Sequence, residues 1–321
     1  MIKRNVFIIV AVAAAVALFS LCIGPRWMSP FDPDPLARQI VFAIRLPRVV
    51  VALLMGGALG AAGAVLQGVL RNPLADPYIL GISTGAALLA AVGLLMGSRI
   101  FGSFTIPLLA FIGAILTGIA VGALGLKGGR LWPERLLLAG VGLGFLFSAV
   151  LMLMMSLSSD EGMRRAVLWI FGDLAMADWS LIPYGFALIL AGLCLSLWRA
   201  KGLNALMLGD DIAHSLGFSP DRERWILFCA VGLMTAASVA LGGIVGFVGL
   251  LVPHIIRFLV GSDNRILIPL SVVAGGTLLC TADTLGRTIA APMELPSGII
   301  TAILGAPFFL YLLRQKDILG E

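Results

Sequence analysis

Long stretches without a charged side chain constrain this sequence more than any other feature. Runs free of Asp, Glu, Lys and Arg occupy residues 5–25, 49–70, 77–98, 100–126, 136–159, 179–198, 225–256, 266–282 and 295–313. A helix that crosses a bilayer needs roughly 20 consecutive apolar residues, because each residue adds about 1.5 Å along its axis. The sequence therefore predicts an all-α integral membrane protein.

The composition excludes a soluble globule. Of the 321 residues, 60% are hydrophobic and 12% are charged, whereas a soluble domain has roughly 25% charged residues. The 39 glycines fit the same interpretation, because small residues let membrane helices approach closely. The net charge of +5 comes from scattered Lys and Arg, so we expect lipid contacts and no nucleic-acid partner.

The runs also predict the number and direction of the spans. Residues 225–256 are too many for one span, and the glycine-rich stretch 242–246 is the natural break, which brings the count to about ten. We read 5–25 as the first span, because it is longer than the core of a signal peptide. Most of the 22 Lys and Arg then fall on one side, which the positive-inside rule makes cytoplasmic, with both termini. The chain 1–321 forms a single transmembrane domain.

Two connections between spans are too long for simple turns. The outer one contains an amphipathic segment at about 161–174, which predicts a surface helix. The inner one, at about 204–217, has apolar residues on one helical face and predicts a second helix. That face needs either the bilayer or a protein against it. Asp210 and Asp211 would be repelled by anionic lipid, which favours a protein partner.

Several absent patterns limit the chemistry. The sequence has no Gly-Lys-Ser/Thr phosphate loop, so we expect no ATP hydrolysis by this chain. His214 and His254 are far apart and the four cysteines lie in apolar runs, so we expect no metal site and no bound cofactor. A proton-coupled carrier or an intramembrane enzyme would need ionisable or nucleophilic groups at membrane depth. Asp283 is the one acid inside a predicted helix, and it can pair with Arg287 four residues later.

Seven ordered motifs resemble the FecCD family, the permease subunits of ATP-binding-cassette (ABC) importers for iron-siderophores, haem and cobalamin. They are RLPR at 45–48, GAVLQGVLRNPLADP at 63–77, RLLLAGV at 135–141, GDDIAHSLG at 209–217, GFVGLLVPH at 246–254, ELPSG at 294–298 and LGAPFFL at 304–310. Together they extend over nearly the whole chain.

The resemblance implies a type II ABC importer permease in the cytoplasmic (inner) membrane of a prokaryote. It implies a homodimer, two ATPase subunits that bind ATP and Mg, and a periplasmic or surface substrate-binding protein. The substrate would be a metal chelate, with molybdate or tungstate as the alternative.

The resemblance also implies roles for individual residues. Arginines at three positions would dock the binding protein on the outer side: Arg45, Arg48 and Arg287. The alternative is that they are membrane anchors or form the local pair with Asp283. The inner segment would couple to the ATPase through Leu208, Gly209, Asp210, Asp211, Ala213, Leu216 and Gly217. Candidates for the translocation path are Met152, Met155, Gly249 and Pro253.

Overall fold

A computed structural model describes residues 2–24, 26–98 and 100–314. They form helices and one short β-hairpin. The helices are α1 (Ile2–Cys22), α2 (Pro35–Ile40), α3 (Leu46–Leu70), α4 (Ile82–Leu95), α5 (Thr105–Gly125), α6 (Pro133–Ser156), α7 (Asp160–Ile170), α8 (Ile182–Trp198), α9 (Ala200–Leu208), α10 (Asp210–Ser215), α11 (Pro220–Gly242), α12 (Val248–Val260), α13 (Asn264–Thr288) and α14 (Ser297–Arg314). Strands β1 (Leu126–Lys127) and β2 (Arg130–Leu131) pair antiparallel between α5 and α6.

The helix lengths suit a membrane. Within the described residues, six helical segments are long and apolar enough to cross a bilayer, and the bent pair α8–α9 makes a seventh. Three shorter apolar helices, α4, α12 and α14, accompany them. The run 225–256 divides as predicted, because α11 ends at Gly242 and α12 begins at Val248. The count of ten spans and the side of the termini stay predictions.

Helix α3 lies at the centre of the bundle, and glycines allow its close contacts. A Cβ atom on Gly56 would lie 2.2 Å from the carbonyl oxygen of Gly275 on α13. A Cβ on Gly60 would lie 2.4 Å from the Ser271 carbonyl oxygen, and Gly63 faces the backbone of Gly249 on α12 even more closely. Backbones of neighbouring helices touch at these positions, which is how membrane helices gain packing energy.

Three segments that were each predicted as one helix are divided in the structure. The run 77–98 is not one helix: Pro77–Leu80 is a 3₁₀ turn, and α4 has 14 residues. The inner segment 204–217 is not one helix either, because Gly209 (φ 126°, ψ 155°) separates α9 from α10. The outer segment 161–174 is the helix α7, followed by a separate 3₁₀ turn at Leu174–Met176.

Helix α6 is poorly covered by the rest of its own chain. Leu136 and Gly140 are its buried residues, while Leu138, Phe145 and Met152 are largely exposed. An apolar helix that the rest of its own chain leaves open must contact lipid or another copy of the protein.

Candidate functional site

Arg71 connects the central helix to the predicted coupling segment. It ends α3 in the left-handed conformation (φ 48°), a position that glycine usually occupies. An arginine is needed there for its side chain, because Nε donates a 2.7 Å hydrogen bond to the carbonyl oxygen of Leu206 near the end of α9. The same guanidinium also pairs with Asp210 at the start of α10. The Arg71 end of α3 is thereby attached to both halves of the coupling segment.

Asp210 is the centre of this ion-pair cluster. Its Oδ1 accepts from Arg71 and, at 2.5 Å, from Nη2 of Arg224 on α11. Burial would raise the pKa of Asp210, but the hydrogen bonds and charges of Arg224 and Arg71 outweigh it and hold the pKa below its usual value. Asp210 therefore faces the body of the protein as an anion, while Asp211 is exposed.

The opposite side of the coupling segment is an uncovered apolar surface. Leu208 is 63% exposed, Ile212 45% and Leu216 58%, whereas Ala213 is fully buried against the body. Gly217 ends the segment with φ 83°. Asn204 fixes the other end, because it bonds Asp263 and Asn264 at the start of α13. A firmly attached helix pair with exposed leucines is the form expected of a docking surface.

A cleft of about 500 Å³ adjoins this surface. It lies between α10, the β1–β2 hairpin and the beginnings of α6 and α11, and its walls include Trp132, Glu134 and His214 together with the Asp210 cluster. The walls carry charges of both signs, so the cleft is polar, unlike the neighbouring leucine surface.

The three predicted docking arginines come together at the other end of α3, but they are buried. Arg45 and Arg48 are 5% exposed and Arg287 is 3% exposed. Arg48 Nε lies 2.8 Å from Asp283 Oδ1, and Arg287 Nε lies 3.1 Å from Asp283 Oδ2. The predicted local pair between Asp283 and Arg287 is therefore confirmed. An acid of the same chain holds two of the three arginines, and the docking role of Arg45, Arg48 and Arg287 stays a prediction.

Arg45 and Arg287 complete the end of α1. Arg45 donates to the carbonyl oxygens of Leu21, Cys22 and Arg26, at 3.2, 2.6 and 2.7 Å. Arg287 donates to the Ser20 carbonyl oxygen at 3.1 Å. The last turn of a helix leaves carbonyl groups without partners, and α1 has no basic residue in its own last turn to satisfy them. Two arginines from other helices supply the missing donors.

Arg48 differs from the other two arginines, because it also pairs with a partly exposed acid. Its Nη1 lies 2.6 Å from Oε2 of Glu294, a side chain that is 41% exposed. Next to this pair lies a cavity of about 310 Å³, which Arg26, Arg45 and Arg287 also line. Sequence reasoning missed the role of Glu294, although the residue opens the ELPSG motif.

The four candidates for the translocation path differ in how far they are exposed. Met152 is 70% exposed on the open face of α6, and Met155 is half-buried. Gly249 and Pro253 are buried where α12 crosses α3, with Gly249 against the backbone of Gly63. Gly249 therefore packs α12 against α3, and the path role of all four residues stays a prediction.

Among the residues that the structure describes, no three His, Cys, Asp or Glu side chains are grouped closely enough to hold a metal ion. The sequence analysis did not single out Arg71 or Arg224, the partners of Asp210. A usable signal exists for Arg71, which directly follows the charge-free run 49–70.

The comparisons with known proteins agree along the whole chain. The FecCD transport family matches residues 8–315. The vitamin B12 import system permease protein BtuC of Vibrio cholerae is 38% identical over 320 residues, which cover 98% of this chain and 95% of that protein. The hemin transport system permease protein HmuU of Yersinia pestis is 41% identical, covering 85% and 83%. The iron(3+)-hydroxamate import system permease protein FhuG of Bacillus subtilis is 38% identical, covering 87% and 84%.

Solved structures give the same answer for the fold. A metal-chelate type ABC transporter in an inward-facing conformation superposes with a TM-score of 0.88 at 31% identity, covering 97% of this chain and 99% of that one. A second structure, PsaBC from Streptococcus pneumoniae, has a TM-score of 0.57 at 15% identity, covers 85% and 92%, and bears on the fold alone.

Proposed function

The chain belongs to the FecCD transport family, and from this we propose that it is the membrane permease subunit of an ABC importer for a metal chelate. Relatives named for vitamin B12, hemin and iron(3+)-hydroxamate support that substrate class. The energy comes from a separate ATPase that binds ATP and Mg. The permease lies in the cytoplasmic membrane of a prokaryote as a homodimer, and the open face of α6 provides apolar surface for the second copy.

The observation that carries the proposal is the two-sided coupling segment. One side of α9–α10 is attached to the body through Arg71, Asp210 and Arg224. The other side exposes Leu208, Ile212 and Leu216, which an ATPase groove would cover. Movement of the ATPase would then act on α3 and α11 directly, because ion pairs connect both helices to α10.

The topology follows from the same proposal. The six long segments, α8 and the three shorter apolar helices supply ten membrane helices, with the coupling segment α9–α10 and both termini in the cytoplasm. The arginine cluster then lies on the outer side, because α3 extends from Arg48 at one end to Arg71 at the other. Arg48 is the arginine we assign to docking of the binding protein, whereas Arg45 and Arg287 hold α1.

The test is reconstituted transport. The chain is expressed with an ABC ATPase, incorporated into proteoliposomes, and supplied with the binding protein loaded with cobalamin, haem, a ferric hydroxamate or molybdate. We expect ATP-dependent accumulation of one of the three chelates. Ile212→Asp should abolish it, because a charge in the exposed apolar surface of α10 prevents docking of the ATPase. ATP-independent accumulation, or accumulation of molybdate alone, would refute the proposal.

A further inference from the structure

Three arginines and two acids at the outer end of α3 form an unequal cluster. Arg45, Arg48 and Arg287 bring three positive charges, while Asp283 and Glu294 bring two negative charges. The cavity of about 310 Å³ is lined by four arginines and by Glu294, its one acidic lining residue among those described. Even with Glu294 in place, the cluster keeps an excess of positive charge beside an open space, which attracts an anion.

The two acids are held very differently. The side chain of Asp283 is 2% exposed and is paired with two buried arginines. Glu294 has one ion pair, from its Oε2 to Nη1 of Arg48, and its side chain is 41% exposed. It stands in the connection between α13 and α14, where the N–H groups of Met293 and Leu295 donate to the carbonyl oxygens of Ala290 and Gly286, so the side chain of Glu294 is the part that can move. Asp283 is thus a permanent part of the cluster, whereas Glu294 can leave.

We propose that Glu294 occupies the position on Arg48 where a carboxylate of the docking protein binds. Glu294 pairs with Arg48 until that carboxylate side chain displaces it. The inference rests on the proposed function, since it assumes that a binding protein docks at this end. A carboxylate fits because a guanidinium presents parallel N–H donors to two oxygens. The space suits one acidic side chain and lies at the lower limit for a drug-sized ligand, so a metal chelate is not the occupant.

Displacement of Glu294 can affect α7, because backbone hydrogen bonds connect the segment that carries Glu294 to the end of that helix. Three residues further on, the Ser297 N–H and hydroxyl both donate to the carbonyl oxygen of Gly172, at 3.1 and 3.0 Å. The Gly298 N–H donates to the Phe171 carbonyl oxygen at 3.1 Å. Phe171 and Gly172 immediately follow α7, so the segment that carries Glu294 also holds the end of that helix. Docking that releases Glu294 would loosen the attachment of α7 on the outer face.

The experiment removes the charge of Glu294 and measures binding of an acidic probe. Permease in nanodiscs is titrated with a fluorescein-labelled pentaglutamate peptide at low salt. Glu294→Gln should bind the peptide about two- to fivefold more tightly than the unmodified chain, the range expected for loss of one competing half-exposed ion pair. The matched control is Glu161→Gln, which removes an 83% exposed outer glutamate whose pair with Arg165 is 3.7 Å long. Hydrogen exchange of residues 168–172, the end of α7 that lies next to Ser297 and Gly298, should also rise in Glu294→Gln relative to the unmodified chain.

The outcomes separate this inference from the docking proposal. If Arg48→Lys and Arg48→Gln bind the peptide as the unmodified chain does, Arg48 is not the docking arginine and both ideas fail here. If the Arg48 variants lose binding while Glu294→Gln matches Glu161→Gln, docking at Arg48 stands and the displacement is overturned. Because the comparison of the two glutamate variants changes exposed side chains only, it does not depend on whether an Arg48 variant folds.

Discussion

Neutralising Asp210 should detach α10 from the body of the protein without unfolding the bundle. In Asp210→Asn, Arg71 and Arg224 lose their shared carboxylate, and the nearest remaining acid for Arg224 is Asp221 at 3.9 Å. A hydrogen bond to a charged group contributes about 1.5–3 kcal/mol when buried. The Asp210 side chain is 46% exposed, so solvent screening reduces the two contacts together to about 1–3 kcal/mol. That free energy corresponds to about a 5- to 150-fold change in the attachment equilibrium.

Hydrogen exchange measures this attachment directly. Amides in residues 209–217 should exchange faster in Asp210→Asn by a factor within that range. Asp211→Asn, which neutralises the exposed neighbouring acid, should leave the local exchange unchanged. Equal protection of this segment in the two variants would show that the ion pairs do not hold α10, and the reasoning would fail. In the reconstituted importer, Asp210→Asn should continue to hydrolyse ATP but lose uptake.

The pH dependence of the same protection has a definite sign. The folded pKa of Asp210 lies below its ordinary value of about 3.9, so its contribution is fully present above that ordinary value and is lost as the pH falls through the depressed one. Exchange protection of α10, corrected for the intrinsic rate, should therefore stay constant from pH 8 to pH 5 and decrease only in stronger acid. In Asp210→Asn it should be low at every pH.

Three further predictions follow from other parts of the structure. Arg45→Met should lower the thermal unfolding midpoint in detergent, because the carbonyl oxygens of Leu21 and Cys22 at the end of α1, and that of Arg26 beyond it, lose a charged donor worth about 1.5–3 kcal/mol; the exposed Arg38→Met is the control, and equal midpoints would contradict the capping role. Gly275→Ala should destabilise the bundle by at least 1–3 kcal/mol, as overpacking does, because its Cβ would lie 2.2 Å from the Gly56 carbonyl oxygen. Gly232→Ala meets nothing closer than 4.0 Å and should be tolerated, so similar stability of the two glycine variants would argue against the tight α3–α13 contact. The purified chain should hydrolyse no ATP until its ATPase partner is added, and contaminant-free hydrolysis by the isolated chain would refute this.

The membrane helices could be predicted from the sequence because lipid acts on each helix separately. A span must be long and apolar whatever surrounds it, so the charge-free runs and the glycine-rich break before α12 are visible without any knowledge of contacts. The surface helices α7 and α9–α10 were also predictable, since amphipathic spacing is a local property. The break at Gly209 was harder, because a glycine inside a helical pattern is often tolerated.

The positions of the charged groups could not be predicted in the same way. Arg71 and Asp210 are 139 positions apart, and Arg48 and Asp283 are 235 apart. Whether an arginine near a helix end meets a partner protein or an acid of its own chain depends on how the bundle closes, and one sequence does not contain that information. The three arginines near the Arg48 end of α3 were therefore correctly grouped, while their burial was not foreseen.

The cap of α1 has a consequence for how the chain is made. The first membrane helix leaves the ribosome with the carbonyl groups of its last turn unsatisfied, and Arg45 arrives soon afterwards to occupy part of them. The Arg287 donor to Ser20 is synthesised 267 residues later, near the end of α13. The cap of α1 is therefore incomplete until α13 has been synthesised. Insertion of α13 then completes the arginine cluster and the cap of α1 together.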